Sequence, residues 1–433
     1  MEQGELRRTL GPLMLWGLGV GYVISGEYFG WNLGLPVGGT WGMLAATAAV
    51  TVMYVAFVVS YSELACALPR AGGAFEYGRR AFGPIGGALA GFFQLIEFVF
   101  APPAIALAIG AYLNVYLRVD AVPLALAAYV LLTALNVWGV RQAATFELVV
   151  TVVAVLELLV FIAVVAPVFR WENVARDPLP NGWWGAFAAL PFAVWFYLAI
   201  EGVANAAEEA RNPQRDVAVG FGSAMATLVV LALGVFFTAV GAAGWEAIVY
   251  PSPGAEPSDR PLPLAMAHAV SVQSPLYVML VGVGLFGLVA SFHGILLAAG
   301  RATLALGRAG YLPRGLGRVH PRTGTPAVAL VANMVVGALA VVSGQTASII
   351  TLSVFGALGL YVVSMLALFA LRRREPNLSR PFRAPGYPLV PAVALLLSAV
   401  CAAAVAVAYP SIALVFLALM AGGLIAFRYR ARK

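Results

Sequence analysis

Four glutamates lie inside apolar runs of this sequence, and they are the residues best suited to do chemistry: Glu27, Glu97, Glu157 and Glu201. A charged side chain in hydrocarbon costs at least about 2.5–3.5 kcal/mol, so each carboxyl needs a partner or a function. A fixed carboxylate attracts an ammonium group, and a carboxyl in such a place can also carry a proton. We interpret Glu157 as structural.

Two of the acids, Glu97 and Glu201, are candidates for ion coupling or gating, together with a histidine and a serine. His293 is the histidine well inside an apolar run, and imidazole titrates near neutral pH, with packing as its alternative role. Ser291 can offer an oxygen to a sodium ion. For Glu97 and Glu201 the alternative to proton coupling is a hydrogen bond between helices.

Metal, nucleotide and catalytic motifs are absent from the sequence. It contains no His/Cys/Asp cluster with metal-ligand spacing, no Walker loop and no Ser-His-Asp or Cys-His arrangement. Cys66 and Cys401 lie in or beside apolar runs and are interpreted as packing residues. We therefore expect no enzyme activity, no metal site and no cofactor, only a possible coupling ion, H⁺ or Na⁺.

The composition indicates a membrane protein that forms a single domain over residues 1–433. The chain is 62% hydrophobic and 10% charged, and its mean hydropathy is +0.90. Soluble domains contain roughly 45–50% apolar and about 25% charged residues. The natural solvent for this surface is lipid, so the lipid bilayer is an expected partner.

The hydropathy pattern predicts twelve membrane-spanning helices. Each apolar run approaches the roughly 20 residues that a helix needs to cross the hydrocarbon. The runs lie near 13–36, 41–66, 84–116, 122–139, 145–168, 184–205, 217–243, 273–300, 326–344, 347–371, 388–408 and 410–427.

The basic residues predict the orientation of these spans. With the N-terminus inside, all but four of the 26 Lys and Arg residues fall in inside loops or the C-terminal tail; the exceptions are Arg118, Arg170, Arg176 and Arg260. This distribution follows the positive-inside rule. It predicts a multi-pass protein of the cell (inner) membrane with both termini cytoplasmic, and it explains the net charge of +7 without nucleic acid.

Two spans contain sequences that interrupt a helix. The first holds Gly17, Gly19, Gly21, Gly26 and Gly30 around Glu27, and the sixth holds Glu201-Gly202 at its middle. These spans are five apart, and an odd offset places them in opposite orientations, as an inverted repeat of five helices would. Paired interrupted helices indicate a transporter's binding site. The alternative is that the glycines allow close helix packing.

Four stretches together resemble the amino acid–polyamine–organocation (APC) superfamily: Gly19–Phe29, Glu63–Gly83, Ala207–Arg215 and Arg301–Pro326. The resemblance implies an all-α LeuT-type fold with alternating access and with helices 1 and 6 broken. The repeats then cover about 13–168 and 184–371, followed by two additional helices at about 388–427. A closer resemblance to the ethanolamine permeases is carried by Ile24–Asn32, Ile96–Leu113, Ala199–Gly202 and Ser291–Arg301.

The first interruption departs from the family pattern in a way that predicts the substrate. Many APC amino acid transporters have a G-[SA]-G there, whose bare N–H groups hold the substrate carboxylate. The equivalent here is Ser25-Gly26-Glu27, so the second glycine is replaced by an acid. A carboxylate would repel an amino acid's carboxylate and attract an ammonium. We expect a small amine, with ethanolamine preferred and with choline and short diamines as other possibilities. The alternative is that Glu27 faces another helix and is hydrogen-bonded there.

The resemblance also predicts which residues surround the amine. Ser25 and the free carbonyls from Tyr197 to Ala199 would bind its remaining N–H and O–H groups. Four aromatic side chains would close the site and offer cation–π contact, namely Phe29, Trp195, Phe196 and Tyr197. Glu97 and Glu201 complete the predicted site.

The sequence leaves alternatives for the driving ion and for the class of function. Some proton-coupled relatives carry a lysine in helix 5, where this chain has Ala154, so that proton device is absent. A cationic substrate is itself driven inward by the membrane potential, so uniport and proton symport are both open. The alternative function is a proton-coupled amino acid permease of the same superfamily. An alternative of another class is a non-transporting membrane receptor. The protein is expected to be a monomer or a homodimer.

Overall fold

We describe a computed structural model that covers residues 8–70, 72–139 and 143–431. Some basic and motif residues used above lie outside the described residues: Arg7, Ala71, Arg141, Arg432 and Lys433. The described part of the chain is helical and contains no β-strand, and its one isolated parallel β-bridge joins Leu10 to Ala210.

The described residues form sixteen α-helices and four 3₁₀ helices. The α-helices are α1 Pro12–Val23, α2 Ser25–Tyr28, α3 Leu35–Ala67, α4 Ala74–Leu117, α5 Ala121–Trp138, α6 Ala143–Val165, α7 Trp171–Val174, α8 Trp184–Trp195, α9 Pro213–Ala243, α10 Trp245–Val249, α11 Pro261–Met266, α12 Pro275–Arg308, α13 Ala327–Val342, α14 Thr346–Arg374, α15 Leu389–Ala408 and α16 Pro410–Ala431. The 3₁₀ helices are Trp31–Gly34, Ala166–Val168, Ile200–Glu209 and Arg314–Gly317.

Within the described residues, 10 helical stretches are long and apolar enough to cross a membrane. Two shorter apolar helices are α1, with 12 residues, and α13, with 16. Exposed apolar side chains such as Leu339, Leu414 and Ile425 cover the outer helices. In lipid this exposure carries no hydrophobic penalty, since lipid tails are as apolar as leucine. The chain is a polytopic membrane protein.

Three predicted boundaries are wrong, and each error has a local cause. The predicted break between residues 36 and 41 is a kink inside α3 at Gly39, where φ is +61°. Helix α4 begins ten residues before the predicted start at 84 and bends at Gly83, where φ is +72°. Helix α12 continues to Arg308, beyond the predicted end at 300, because arginines can lie on a helical turn at the membrane face.

The centre of the bundle is formed by α4 packed along α14 and by α3 packed along α8. Helix α1 packs against α6, α9 and α12. Helix α16 lies at the edge, where most of its side chains remain outside the core. The interrupted segments are therefore surrounded by protein, which is where irregular backbone is tolerated at membrane depth.

A buried ion-pair cluster ties the last turn of α14 and the segment after it to the end of α3. The Glu63 carboxylate is fully buried and accepts two hydrogen bonds from Arg372. Arg380 lies 3.2 Å from it, and the Ala384 N–H donates to it at 2.8 Å. Nearby, the Arg80 guanidinium donates to Glu375 at 2.6 Å and holds the pKa of that exposed carboxyl below its usual range.

Candidate substrate site

The first interruption lies between α1 and α3. After the single turn of α2, Phe29 has extended backbone and Gly30 has φ +89°, in the region that favours glycine. The Gly30 N–H donates to Asn32 Oδ1 at 3.1 Å, which satisfies a donor that no helix uses. The Asn32 amide also donates to the Ser258 carbonyl at 2.8 Å, so the loop before α11 is attached to the same turn.

The second interruption follows α8. The helix ends at Trp195, a turn follows, and Ala199 adopts φ +76° before the 3₁₀ helix begins at Ile200. A non-glycine residue in this conformation costs of order 1–3 kcal/mol and persists where the surroundings impose it. The 3₁₀ helix is ten residues long, whereas runs beyond three or four residues are uncommon, and a 3₁₀ stretch within a span often marks a hinge or local strain.

The two interruptions meet backbone to backbone. A Cβ atom built on Gly26 would collide with the Trp195 carbonyl oxygen and come within 3.1 Å of Phe196 Cα. The Phe29 and Trp195 rings meet edge to face with centroids 5.5 Å apart, and the Trp31 and Phe196 rings stack at 5.8 Å. These aromatic pairs hold the ends of α2 and α8 together.

Glu27 is buried at this junction without a partner. Its exposed fraction is 0%, and neither carboxyl oxygen accepts a hydrogen bond from any described residue. The Trp195 indole N–H is likewise buried and unpaired among the described groups. An unsatisfied buried carboxyl calls for a bound proton or a cation. The Tyr197 hydroxyl, which is an electrostatic neighbour of Glu27, shares a 2.8 Å hydrogen bond with Thr51.

The Ser25 and Ser291 side chains form a hydrogen bond with each other. Ser291 Oγ donates to the Tyr22 carbonyl at 2.6 Å, so Ser25 must donate the 2.8 Å hydrogen bond that joins the two hydroxyls. The Ser25 hydroxyl therefore has no proton left to donate to a ligand and can only accept. Ser291 links α12 to the carbonyl end of α1.

Glu97 and Glu201 form a second acidic cluster. Both are buried, and their carboxyl groups are neighbours. The Tyr361 hydroxyl donates to Glu201 Oε2 at 3.0 Å and shares a 3.0 Å bond with the Tyr54 hydroxyl. Two adjacent carboxylates repel each other, so the pair is stable with a proton or a cation between them.

The sequence candidates therefore fall into distinct groups. Ser25, Gly26, Glu27, Phe29, Trp195, Phe196 and Tyr197 share the junction of the two interruptions. Ala199 and Glu201 lie with Glu97 in the second cluster. The prediction of free carbonyls is wrong for Tyr197 and Ala199, because these carbonyls accept from the Ile200 and Gly202 N–H groups at 3.4 and 3.0 Å. Ser291 contacts Ser25, whereas His293, on the same helix, faces elsewhere. Glu157 accepts a 2.5 Å hydrogen bond from Tyr28, which suits a structural acid.

One acid of this bundle was missed in the sequence. Glu147 is 2% exposed, and its Oε2 lies 3.9 Å from His293 Nδ1. Glu147 lies near the start of the apolar run 145–168, a position that is typical of a polar residue at the end of a span. The available signal was the same as for the other four glutamates, an acid within an apolar run.

Comparison of the sequence with known protein families gives a match over most of the chain. The family model described as amino acid permease matches residues 10–424. The chain belongs to the amino acid permease family. It is thereby a transporter of the APC superfamily and a multi-pass membrane protein, not an enzyme.

Its relatives carry differing names. An uncharacterized transporter of Rhizobium meliloti (strain 1021) is 30% identical over 406 residues, covering 91% of this chain and 85% of the relative. The branched-chain amino acid permease of Bacillus subtilis (strain 168) is 24% identical, with 90% and 87% coverage. The methylthioribose transporter of the same organism is 26% identical, with 90% and 86% coverage. Membership in the family therefore does not identify the substrate.

Proposed function

We propose that this permease imports a small cationic amine, with ethanolamine as the preferred substrate. The observation that carries the proposal is the buried, unpartnered carboxyl of Glu27 where the two interrupted helices meet. A substrate ammonium beside Glu27 would supply the missing donor and the opposite charge. An amino acid would bring a second carboxylate against the first, at a cost that grows as the site loses water.

The aromatic surroundings of Glu27 suit the same ligand. Phe29 and Trp195 offer ring surfaces for cation–π attraction of an ammonium. The unpaired Trp195 N–H can donate to the hydroxyl oxygen of an amino alcohol. Ethanolamine has four non-hydrogen atoms, and about 1.5 kcal/mol for each gives a Kd of tens of micromolar at best.

The transport cycle in this proposal is alternating access in a LeuT-type fold. Twelve spans result when α1 and α13 are added to the ten longer helices, and they divide into repeats at about 13–168 and 184–371. The arginine distribution supports cytoplasmic termini in the cell (inner) membrane. The interruptions after α2 and α8 are the flexible points that such a cycle needs.

The coupling ion is a separate part of the proposal. A cationic amine is drawn inward by the membrane potential at about 2.3 kcal/mol per 100 mV, so uniport suffices for uptake. Proton symport is supported by the paired carboxyls of Glu97 and Glu201. A sodium site at Ser291 has less support, because that hydroxyl already bonds to Tyr22 and Ser25.

A second candidate is a proton-coupled amino acid permease. The family model and the branched-chain amino acid permease of Bacillus subtilis favour it. A Glu27 carboxyl that carries a proton would no longer repel a substrate carboxylate. The two candidates therefore differ in the charge of Glu27 with substrate bound.

Uptake into proteoliposomes tests the proposal. Labelled ethanolamine is offered with choline, putrescine, alanine, leucine and arginine as competitors. We expect saturable uptake that amines block and alanine does not, and a loss of at least tenfold in Glu27→Gln. The matched control is Glu246→Gln, an exposed acid on α10, which should behave as wild type. Accumulation of alanine or leucine without ethanolamine uptake would establish the amino acid permease instead.

A further inference from the structure

We infer that Glu147 and His293 form a proton-binding site that couples substrate movement to a proton. Glu147 Oε2 and His293 Nδ1 lie 3.9 Å apart, and their side chains are 3% and 10% exposed. Neither Glu147 Oε1 nor His293 Nδ1 has a hydrogen-bond partner among the described residues. The inference rests on the transport function proposed above and identifies its driving ion.

The backbone of two helices leaves room for this carboxyl. A Cβ atom on Gly21 would collide with Glu147 Oε1 and approach Thr151 Oγ1. A Cβ atom on Gly294 would meet the Tyr22 ring and lie 3.5 Å from the same carboxyl oxygen. Glu147 is thus placed between α1, α6 and α12, three helices that converge on it.

Charge balance makes one bound proton the stable state of the pair. A carboxylate with an imidazolium, or a carboxylic acid with a neutral imidazole, carries no net charge and contains one exchangeable proton. Removing that proton leaves a lone buried anion, and adding another leaves a lone buried cation, and both are costly away from water. The proton can therefore leave only when water reaches the pair.

The other charged groups in the surroundings do not replace this proton. The Tyr22 hydroxyl on α1 has Glu147, Arg301 and Glu209 as electrostatic neighbours, but Arg301 lies 3.5 Å from Glu209 and is matched by it. From α9 the titratable residues are Arg215 and Asp216 on its first turn, and α11 has none. On α5, Tyr129 packs against Phe292, and on α4, Glu97 pairs with Glu201.

The position of the pair connects the proton to the substrate site. Thr151, one turn after Glu147, donates to the Gly17 carbonyl at 3.1 Å, so the same face of α6 holds α1. Helix α1 leads directly into Ser25 and Glu27, and α12 carries both His293 and the Ser291 that bonds to Ser25. Moving α1 away from α6 and α12 would admit water to the pair and release the proton together with the substrate.

A spectroscopic experiment tests the site without any transported substrate. The chain has 3 histidines, so ¹³C-histidine NMR of the full-length protein gives three signals, and His293→Gln assigns one of them. We expect Glu147→Gln to shift the midpoint of the His293 titration. Glu157→Gln, which removes another buried α6 carboxyl, should leave it in place. An unchanged His293 signal in Glu147→Gln overturns the site.

A transport experiment tests the coupling. With the membrane potential clamped at zero, an inward proton gradient of one pH unit supports about tenfold accumulation for one proton per substrate. We expect wild type to accumulate labelled ethanolamine, and Glu147→Gln and His293→Gln to bring it only to an equal concentration while still exchanging labelled for unlabelled substrate. Full accumulation by Glu147→Gln overturns the coupling role. If alanine is transported instead of ethanolamine, the amine proposal fails, and the same measurement with alanine decides the coupling.

Discussion

The Cα atom of Gly26 faces the carbonyl oxygen of Trp195 so closely that even a methyl group has no room between them. This contact joins the turn after α1 to the last turn of α8. The neighbouring atom is backbone, so it cannot rotate aside as a side chain would. The contact therefore sets the distance between the two interrupted helices, and with it the position of Glu27.

Gly26→Ala should reduce uptake by at least tenfold. The added methyl group pushes α2 away from Trp195, at a cost of about 1–3 kcal/mol for an overpacked contact. Initial uptake rates in proteoliposomes measure the effect. Gly222→Ala is the matched control, because a Cβ atom on Gly222 meets nothing within 4 Å. Equal rates for the two variants would show that the contact has no part in transport.

Glu63→Gln should destabilise the protein far more than an exposed acid does. Removing one partner of a buried ion pair costs about 3–5 kcal/mol, since Arg372 and Arg380 lose their counter-charge. Melting temperatures in detergent measure the effect. Glu76→Gln is the control, because its partner Arg79 is exposed and such pairs contribute about 0.5 kcal/mol or less. Similar melting temperatures for both variants would contradict the structural importance of the Glu63 cluster.

Asp259 should make stability fall as the pH rises from about 4 to 6. Burial raises the pKa of this loop carboxyl to about 6, although the Thr346 hydroxyl donates to it at 2.6 Å and opposes the shift. The folded state then binds more protons than the unfolded state in this window, so raising the pH favours unfolding. Asp259 is half-buried, and the remaining water contact screens the effect, so the destabilisation at neutral pH should be about 1 kcal/mol rather than the roughly 3 kcal/mol of full burial.

Asp259→Asn separates this effect from other titrations. The amide oxygen can still accept from Thr346 but cannot ionise. The variant should melt above wild type at pH 7.5, and the difference should shrink by pH 4.5. A difference that stays constant across this range would mean that Asp259 titrates alike in both states.

The two interruptions show how far sequence patterns reach. The glycines around Glu27 and the Glu201-Gly202 pair indicated irregular backbone in the right spans. They did not indicate that the turn falls at Phe29–Gly30, or that Ala199 takes the left-handed conformation. Glycine propensity is compatible with a turn at Gly30 but also with one at the neighbouring glycines, and alanine favours helix, so Ala199 is held in its conformation by its surroundings.

The sequence shows which types of side chain lie in the spans, but it does not show which of them contact one another. Ser25 has the chemistry of a ligand donor, yet its proton is used by Ser291, which lies 266 residues away. His293 appeared as a lone histidine until the packing of α12 against α6 brought it beside Glu147. Such pairings arise from helix packing, and periodicity within one helix does not record them.

The sequence by itself determined that lipid surrounds this protein, how many apolar runs it has and that these runs contain acids. These properties follow from composition and hydropathy, which act residue by residue along the chain. The tertiary structure decided which acids are partnered: Glu157 and Glu63 have donors, Glu97 lies beside Glu201, and Glu27 has none. That distinction depends on distances between helices far apart in the chain, and only their packing sets those distances.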